Sequence, residues 1–233
     1  MISIRDHVYI VTGGGGAIAG SILSALAHAG ARVAVVDRTE TNAKRGAEAI
    51  DGFPIAADLT TFLGAESMVR RAGDHFGRVD GLIHTVGGFD MGPLYEVDPS
   101  QYDRMFDVNV RSLFYAVRAV LPRLMAQNDG FICGVSSEPG WTGSSPGTAL
   151  YGAAKSAVAT LLHSLDGELK GSAVRVAVLY PMGAVDTPAN RKDMPKVDPA
   201  LFIDPVEIGE TTLFAASRGP RGRMMDFAVY PPR

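Results

Sequence analysis

Cysteine is nearly absent. Cys133 is the only one in 233 residues, so no disulfide can form within the chain, and inside FICGV the thiol reads as a small core residue. Long apolar runs are missing too: the hydrophobic stretches are strand-sized and broken by glycine or charge, too short to cross a bilayer. Arg5 and Asp6 interrupt MISIRDHVYIV where a secretory signal needs an unbroken apolar stretch. Neither sign of charge dominates. With 22 basic and 25 acidic residues the formal net charge is −3, and the scattered Lys and Arg create no basic field for nucleic acid or an anionic membrane. The histidines are dispersed, and no Cys/His/carboxylate spacing forms a metal-ligand set. No linker, internal repeat or low-complexity segment divides the chain, so one domain over 1–233, in the cytoplasm, is expected.

What is present is an alternation of two periods. Short β-branched runs at about 8–12, 32–36, 79–86, 131–136 and 174–180 alternate with amphipathic stretches at about 18–29, 61–77, 100–127 and 149–170. A further helix at about 205–217 and a strand near 226–230 close the pattern. VYIVT, RVAVVD and VRVAVLY are apolar almost throughout, as strands buried on both faces by crossover helices must be. The spacing predicts an α/β fold with a doubly wound, mostly parallel sheet of about seven strands. From about 182 to 203 several prolines and no clear period predict a long surface loop, a candidate lid over a substrate.

VYIVT runs into Gly13, Gly14, Gly15, Gly16, Ala17 and Ile18, then into an Ala- and Leu-rich helix. Gly14, Gly16 and Ala19 fit a Gly-x-Gly-x-x-Gly/Ala spacing, in which small residues allow a tight turn, backbone approach to a pyrophosphate, and close packing of helix on strand. The helix N-terminus then faces the phosphates, which makes the sheet a Rossmann sheet. Asp37 ends the second strand, where a carboxylate accepts hydrogen bonds from adenosine ribose hydroxyls and repels a 2′-phosphate. NAD is therefore expected over NADP, with Arg38 partly offsetting the repulsion and leaving NADP possible.

Tyr151 and Lys155 lie four apart in ALYGAAKSAVATLLHSL, on one helix face. A cation one turn away favours the phenolate and makes the tyrosine usable as an acid or base nearer neutral pH. By itself the spacing is common, so its meaning depends on its surroundings.

Taken together these motifs resemble the short-chain dehydrogenase/reductase family over nearly the full length. TGGGGAIA is similar to its Thr-Gly-rich turn, with Ala17 and Ala19 where glycines are commonest, and the spacing of Gly13, Gly16 and Ala19 suits a variant form. Asp58, followed by Leu59 in AADLT, resembles the acidic residue that contacts the adenine; a helix N-cap is the other reading. HTVGG stands at the family's Asn-Asn-Ala-Gly segment, with His84 and Thr85 replacing the asparagines and Val86 and Gly87 fitting the cofactor wall. Asn109 in DVNVRSLFYAV resembles the helix asparagine whose backbone carbonyl, after a local kink, holds a water in a proton relay. GFICGVSSEP resembles the strand that ends in the catalytic serine; Ser137 lies fourteen residues before Tyr151 where thirteen is usual, and Ser136 remains the alternative. PMGAVDTP resembles the segment that seals the nicotinamide, with Met182 inserted between Pro181 and Gly183, and with Val185 and Thr187 meeting the carboxamide.

The resemblance implies NADH-dependent interconversion of a small ketone or aldehyde and its alcohol, Ser137 polarising the oxygen, Tyr151 moving the proton, and Lys155 tuning Tyr151 while binding the nicotinamide ribose. Phe89, Met91, Trp141 and Met182, with Met194, form an apolar candidate wall for the substrate, and Arg191 and Lys192 are candidates to steer an anionic one. The lid and glycine turn also resemble the dihydropteridine reductase branch, an NADH-dependent alternative, although that branch typically lacks the serine. A non-catalytic NAD-binding sensor or scaffold ranks third. The family's usual pairing of long helices implies a homo-oligomer, a dimer or tetramer, through residues such as Leu113, Phe114, Leu121 and Leu161.

Overall fold

The computed structural model describes residues 2–144 and 146–233. Seven strands, β1 (Val8–Thr12), β2 (Arg32–Asp37), β3 (Phe53–Ala56), β4 (Gly81–His84), β5 (Gly130–Val135), β6 (Val174–Pro181) and β7 (Asp226–Val229), form one sheet in the order β3-β2-β1-β4-β5-β6-β7. Every neighbouring pair is parallel. This is the expected doubly wound fold, and its strand order reverses between β1 and β4. At such a switch point the crossovers leave on opposite faces and open a crevice beyond the strand ends. Thr12 pairs with His84 in the register there.

Strand periodicity divides the core into two layers. Ile10, Ala34, Val36, Leu82, Ile132 and Val178 face α3 (Phe62–Phe76), α5 (Ser112–Gln127) and α7 (Ala149–Glu168). Their neighbours Tyr9, Val11, Val33, Val35, Ile83, Cys133 and Ala177 face α1 (Ala17–His28), α2 (Glu40–Glu48) and α9 (Pro205–Ala216). Cys133 is fully buried there, with its thiol pushed up to about 12 by burial, as a core residue should be.

Four elements depart from the sequence expectation. The polar segment ETNAKRGAE is α2, capped by Thr39, whose side chain accepts from Asn42 N; only Ala43 and Ala47 are buried in it, too few to give a clear apolar period. FPIA is the short edge strand β3. The stretch expected as one helix over about 100–127 is α4 (Pro99–Phe106) and α5, separated by a π-helical turn at Asp107–Arg111. The long loop holds α8 (Pro188–Asp193), a 3₁₀ turn at Pro199–Leu201 and a parallel bridge between Val185 and Ile203. No helix among the described residues is long and apolar enough to cross a membrane.

Candidate active site

The glycine turn sits at the end of β1 with its helix start open. Gly13 adopts a left-handed φ of 73°, and a Cβ there would meet Thr85 Oγ1 at 2.8 Å. A Cβ on Gly14 would run into Val35 Cγ1. Gly16 caps α1 with no side-chain hydrogen bond, and Ala17 and Ile18 form the first turn. The N–H groups at the start of α1 therefore meet no side chain from the cap residue, and Gly13 and Gly14 leave no space for side chains of their own. This geometry fits the pyrophosphate of a dinucleotide.

Asp37 stands beside that turn. Its carboxylate accepts from Gly15 N at 3.0 Å, from Asn42 Nδ2 at 3.2 Å and from Thr39 N at 3.2 Å. Arg45 donates to Gly15 O at 2.9 Å, while Arg38 is exposed. Asn42 and Arg45 escaped the sequence reading because α2 did; three apart on one helix face, they would have been found had the helix been recognised. Asp58 is exposed and turns back on Thr60, accepting from its N–H at 2.9 Å and its hydroxyl at 2.7 Å. It is not the cap of α3, because that position belongs to Thr61, whose hydroxyl accepts from Gly64 N. Leu59 is buried behind it.

The second half of the site lies across the ends of β4 and β5. Lys155 is buried and donates to Val135 O at 2.9 Å, and burial pulls its ammonium down to about 8. Tyr151 stands next to Ser137. Burial pushes the phenol above its ordinary value, and the neighbouring Ser137 hydroxyl acts in the opposite direction. The cation was expected to pull this tyrosine down; instead the Lys155 ammonium is committed to Val135 and lies 5.8 Å from the centre of the Tyr151 ring, so desolvation prevails.

Local structure separates the two serines. Ser136 donates to Lys155 O at 2.8 Å and is buried against α7. Ser137 begins α6 (Glu138–Thr142), accepting weakly from Gly140 N at 3.4 Å, and it is the serine whose hydroxyl influences Tyr151. Trp141 lies within α6 rather than in a loop, edge-on to Tyr180 at 4.7 Å.

Asn109 occupies the π-helical turn, the place where a kink was expected. Its side chain clamps Gly88 from both sides, Oδ1 accepting from the N–H at 3.2 Å and Nδ2 donating to the carbonyl at 3.1 Å. A second bond runs from Nδ2 to Met105 O at 2.9 Å. A Cβ on Gly87 would sit 2.9 Å from Asn109 Oδ1 and 3.0 Å from Lys155 Nζ, so this glycine is wedged between the two. Val86 packs into the core layer beneath.

The remaining candidates line the rim. Phe89 is 62% exposed and lies edge-to-face with Tyr151, ring centroids 4.9 Å apart. Met91 is exposed, and Met182 is half-buried. Pro181 ends β6 and Gly183 lies against Pro231. Thr187 caps α8 by accepting from Asn190 N at 3.1 Å, and Asn190 in turn donates to Val185 O at 2.7 Å. Arg191 is held by Asp186 through two bonds, of 2.5 and 2.6 Å, which pairs one of the two cations proposed to steer an anion, while Lys192 is exposed. Among the described residues no cluster of three or more His, Cys, Asp or Glu could hold a metal.

Comparison with known proteins identifies the family and the fold. The sequence pattern of the short chain dehydrogenase family matches residues 7–198. An uncharacterised oxidoreductase of Staphylococcus saprophyticus is 29% identical over 99% of this chain and 100% of its own. One from Staphylococcus epidermidis is 30% identical over 81% of this chain and 82% of its own. Among solved structures, a 3-ketoacyl-(acyl-carrier-protein) reductase from Brucella melitensis complexed with NADH superposes with a TM-score of 0.88 at 25% identity, covering 97% of this chain and 98% of that one. A metagenomic short-chain oxidoreductase in complex with NADP superposes at 0.85, with 24% identity and 99% of both chains covered.

Proposed function

This chain belongs to the short-chain dehydrogenase family, and on that premise we propose that it is an NADH-dependent oxidoreductase interconverting a small ketone or aldehyde and its alcohol. The observation that carries this reading is the convergence of Ser137, Tyr151, Lys155 and Asn109 at the ends of β4 and β5, beside the glycine turn. A bound nicotinamide supplies or accepts the hydride. Tyr151 holds the proton: with its pKa raised by burial, the phenol stays protonated at neutral pH and has a proton to donate to a carbonyl oxygen. Ser137, next to Tyr151, shares that oxygen and polarises it. Lys155 keeps a positive charge beneath the tyrosine and binds the nicotinamide ribose, and Asn109 anchors the relay that returns the proton.

On the cofactor side, Gly13, Gly14 and Gly16 with Ala17 and Ile18 hold the phosphates. Asp58 and Leu59 border the adenine, Val86 and Gly87 form the wall, and Pro181, Gly183, Val185 and Thr187 border the carboxamide. Asp37 is the basis for NAD over NADP. Its carboxylate is fixed by Gly15 and Asn42 at the end of β2, and a 2′-phosphate would enter its field. Of the two similar structures one was solved with NADH and the other with NADP, so the choice between them rests on Asp37. The substrate wall of Phe89, Met91, Trp141 and Met182 is apolar and suits an uncharged substrate. The segment over about 182–203 acts as the lid of a single domain.

A groove of about 420 Å³ between α5 and α7, lined by Phe114, Leu121 and Leu161 among others, supports self-association through these helices. Fluorescence titration with NADH and NADPH tests the cofactor, and tighter binding of NADPH would overturn the argument from Asp37. A panel of ketones, hydroxysteroids, acyl thioesters and quinonoid dihydropterin, followed by cofactor absorbance, tests the reaction. Turnover of the pterin alone would replace carbonyl reduction with pteridine reduction.

A further inference from the structure

One buried titratable side chain has no part in the chemistry above. His84 ends β4 at the switch point, paired in register with Thr12 on β1 and Gly134 on β5. Its Nδ1 lies 3.0 Å from Thr12 Oγ1 and its Nε2 3.0 Å from Ser112 Oγ. Ser112 follows the π-helical turn, and its hydroxyl donates to Val108 O at 2.6 Å, inside that turn. These bonds determine the tautomer. The single Ser112 proton is committed to Val108, so Ser112 Oγ accepts from Nε2–H, and Nδ1 is left to accept from the Thr12 hydroxyl. A second proton on the ring would place a like charge near buried Lys155; burial and that charge together hold His84 down to about 3.

The chain of bonds joins two parts of the site. On one side Thr12 leads directly into Gly13, and Thr12 O is also the acceptor for Thr85 Oγ1 at 2.7 Å. On the other, Val108 and Ser112 flank Asn109, whose amide clamps Gly88 beside Gly87 and the Lys155 ammonium. We propose that His84 is a positioning residue, a singly protonated imidazole that ties the root of the glycine turn to the π-helical turn carrying Asn109, so that the phosphate cradle and the Asn109–Lys155 side of the site keep one separation. For its consequence on cofactor binding this inference rests on the function proposed above; the bracing itself does not.

The imidazole divides into two arms that can be removed separately. Asn places an oxygen near the Nδ1 position and keeps the Thr12 arm, whereas Gln reaches the Nε2 position with a donor and keeps the Ser112 arm. His84→Leu removes both. Hydrogen exchange of the full-length protein without cofactor is the direct readout. In His84→Asn the amides of Val108–Ser112 should exchange faster, in His84→Gln those of Gly13–Gly16, and in His84→Leu both sets, by about tenfold for the loss of one buried hydrogen bond, while the centre of β6 keeps wild-type rates. NADH affinity of His84→Leu should fall by about tenfold, with partial rescue in the Asn and Gln variants. In ¹⁵N-histidine-labelled wild type, NMR at neutral pH should show one imidazole with a proton on Nε2 only. The proposal is overturned by a doubly protonated ring, by unchanged exchange in both segments, or by Asn and Gln variants that loosen the same segment. Wild-type protein that binds neither NADH nor NADPH would remove the proposed function, while the exchange pattern would still report on the brace.

Discussion

Lys155→Met exchanges the buried ammonium for an apolar chain of similar reach, and its effect on stability can be read without a substrate. In the folded protein burial holds the Lys155 pKa at about 8, against 10.5 for the free side chain. Below about pH 8 the lysine is charged in both folded and unfolded chains, so the folded state carries the full cost of a charge withdrawn from water. Between the two values the unfolded chain keeps a proton that the folded chain has released, and the unfolding free energy therefore rises with pH. At 1.36 kcal/mol per pH unit the whole gap amounts to about 3 kcal/mol, of which about 2 kcal/mol falls between pH 7.5 and 9.5. The methionine variant lacks this dependence. The stability of the wild type relative to the variant should climb by about 2 kcal/mol over that window, with other titrating groups cancelling in the difference. His84, which feels the Lys155 charge, is neutral throughout it. The lost bond to Val135 O shifts the two curves by a constant and leaves the slope alone. Urea denaturation of the apo protein, followed by far-UV circular dichroism at several pH values, measures this directly. A difference that stays flat, or falls with pH, would refute the assignment of a desolvated lysine at this position.

Three further outcomes are expected. Tyr151→Phe should lower kcat by about 10²–10⁴-fold on any substrate found in the panel, since it removes the proposed general acid; NADH titration should be nearly unchanged, and undiminished turnover would dismiss Tyr151 as the acid. Gly14→Ala pushes a methyl into Val35 Cγ1 in a packed layer, and should cost about 1–3 kcal/mol in urea denaturation while weakening NADH binding. Leu161→Glu places a carboxylate in the groove between α5 and α7; sedimentation velocity should show a smaller species than the wild type, and an unchanged one would rule out that face as the contact.

The parts legible in the sequence were those whose physics is local. The buried strands were visible because a strand covered on both faces must be apolar throughout, as VRVAVLY is. The glycine turn was visible because a left-handed φ at Gly13 and the closeness of Gly14 to Val35 both exclude a side chain. α2 was missed because it buries only two alanines, and with it went Asn42 and Arg45, which hold the Asp37 carboxylate and Gly15. The Tyr151–Lys155 spacing placed the two side chains one turn apart but said nothing of solvent. How deeply α7 sinks between β5, β6 and the π-helical turn is a tertiary fact, and it reverses the expected pull on the phenol.

The sequence by itself determined a doubly wound α/β chain with a phosphate-sized turn at its first crossover and a tyrosine and lysine on one later helix face, because periodicity and glycine stereochemistry act over a few residues. Only the tertiary structure decided which serine meets Tyr151, where the ammonium of Lys155 is spent, and what His84 does in a position where an asparagine was expected. These choices depend on burial and on hydrogen bonds between residues that are distant in sequence, as from Thr12 to His84 to Ser112, and neither quantity exists until the sheet has closed around them.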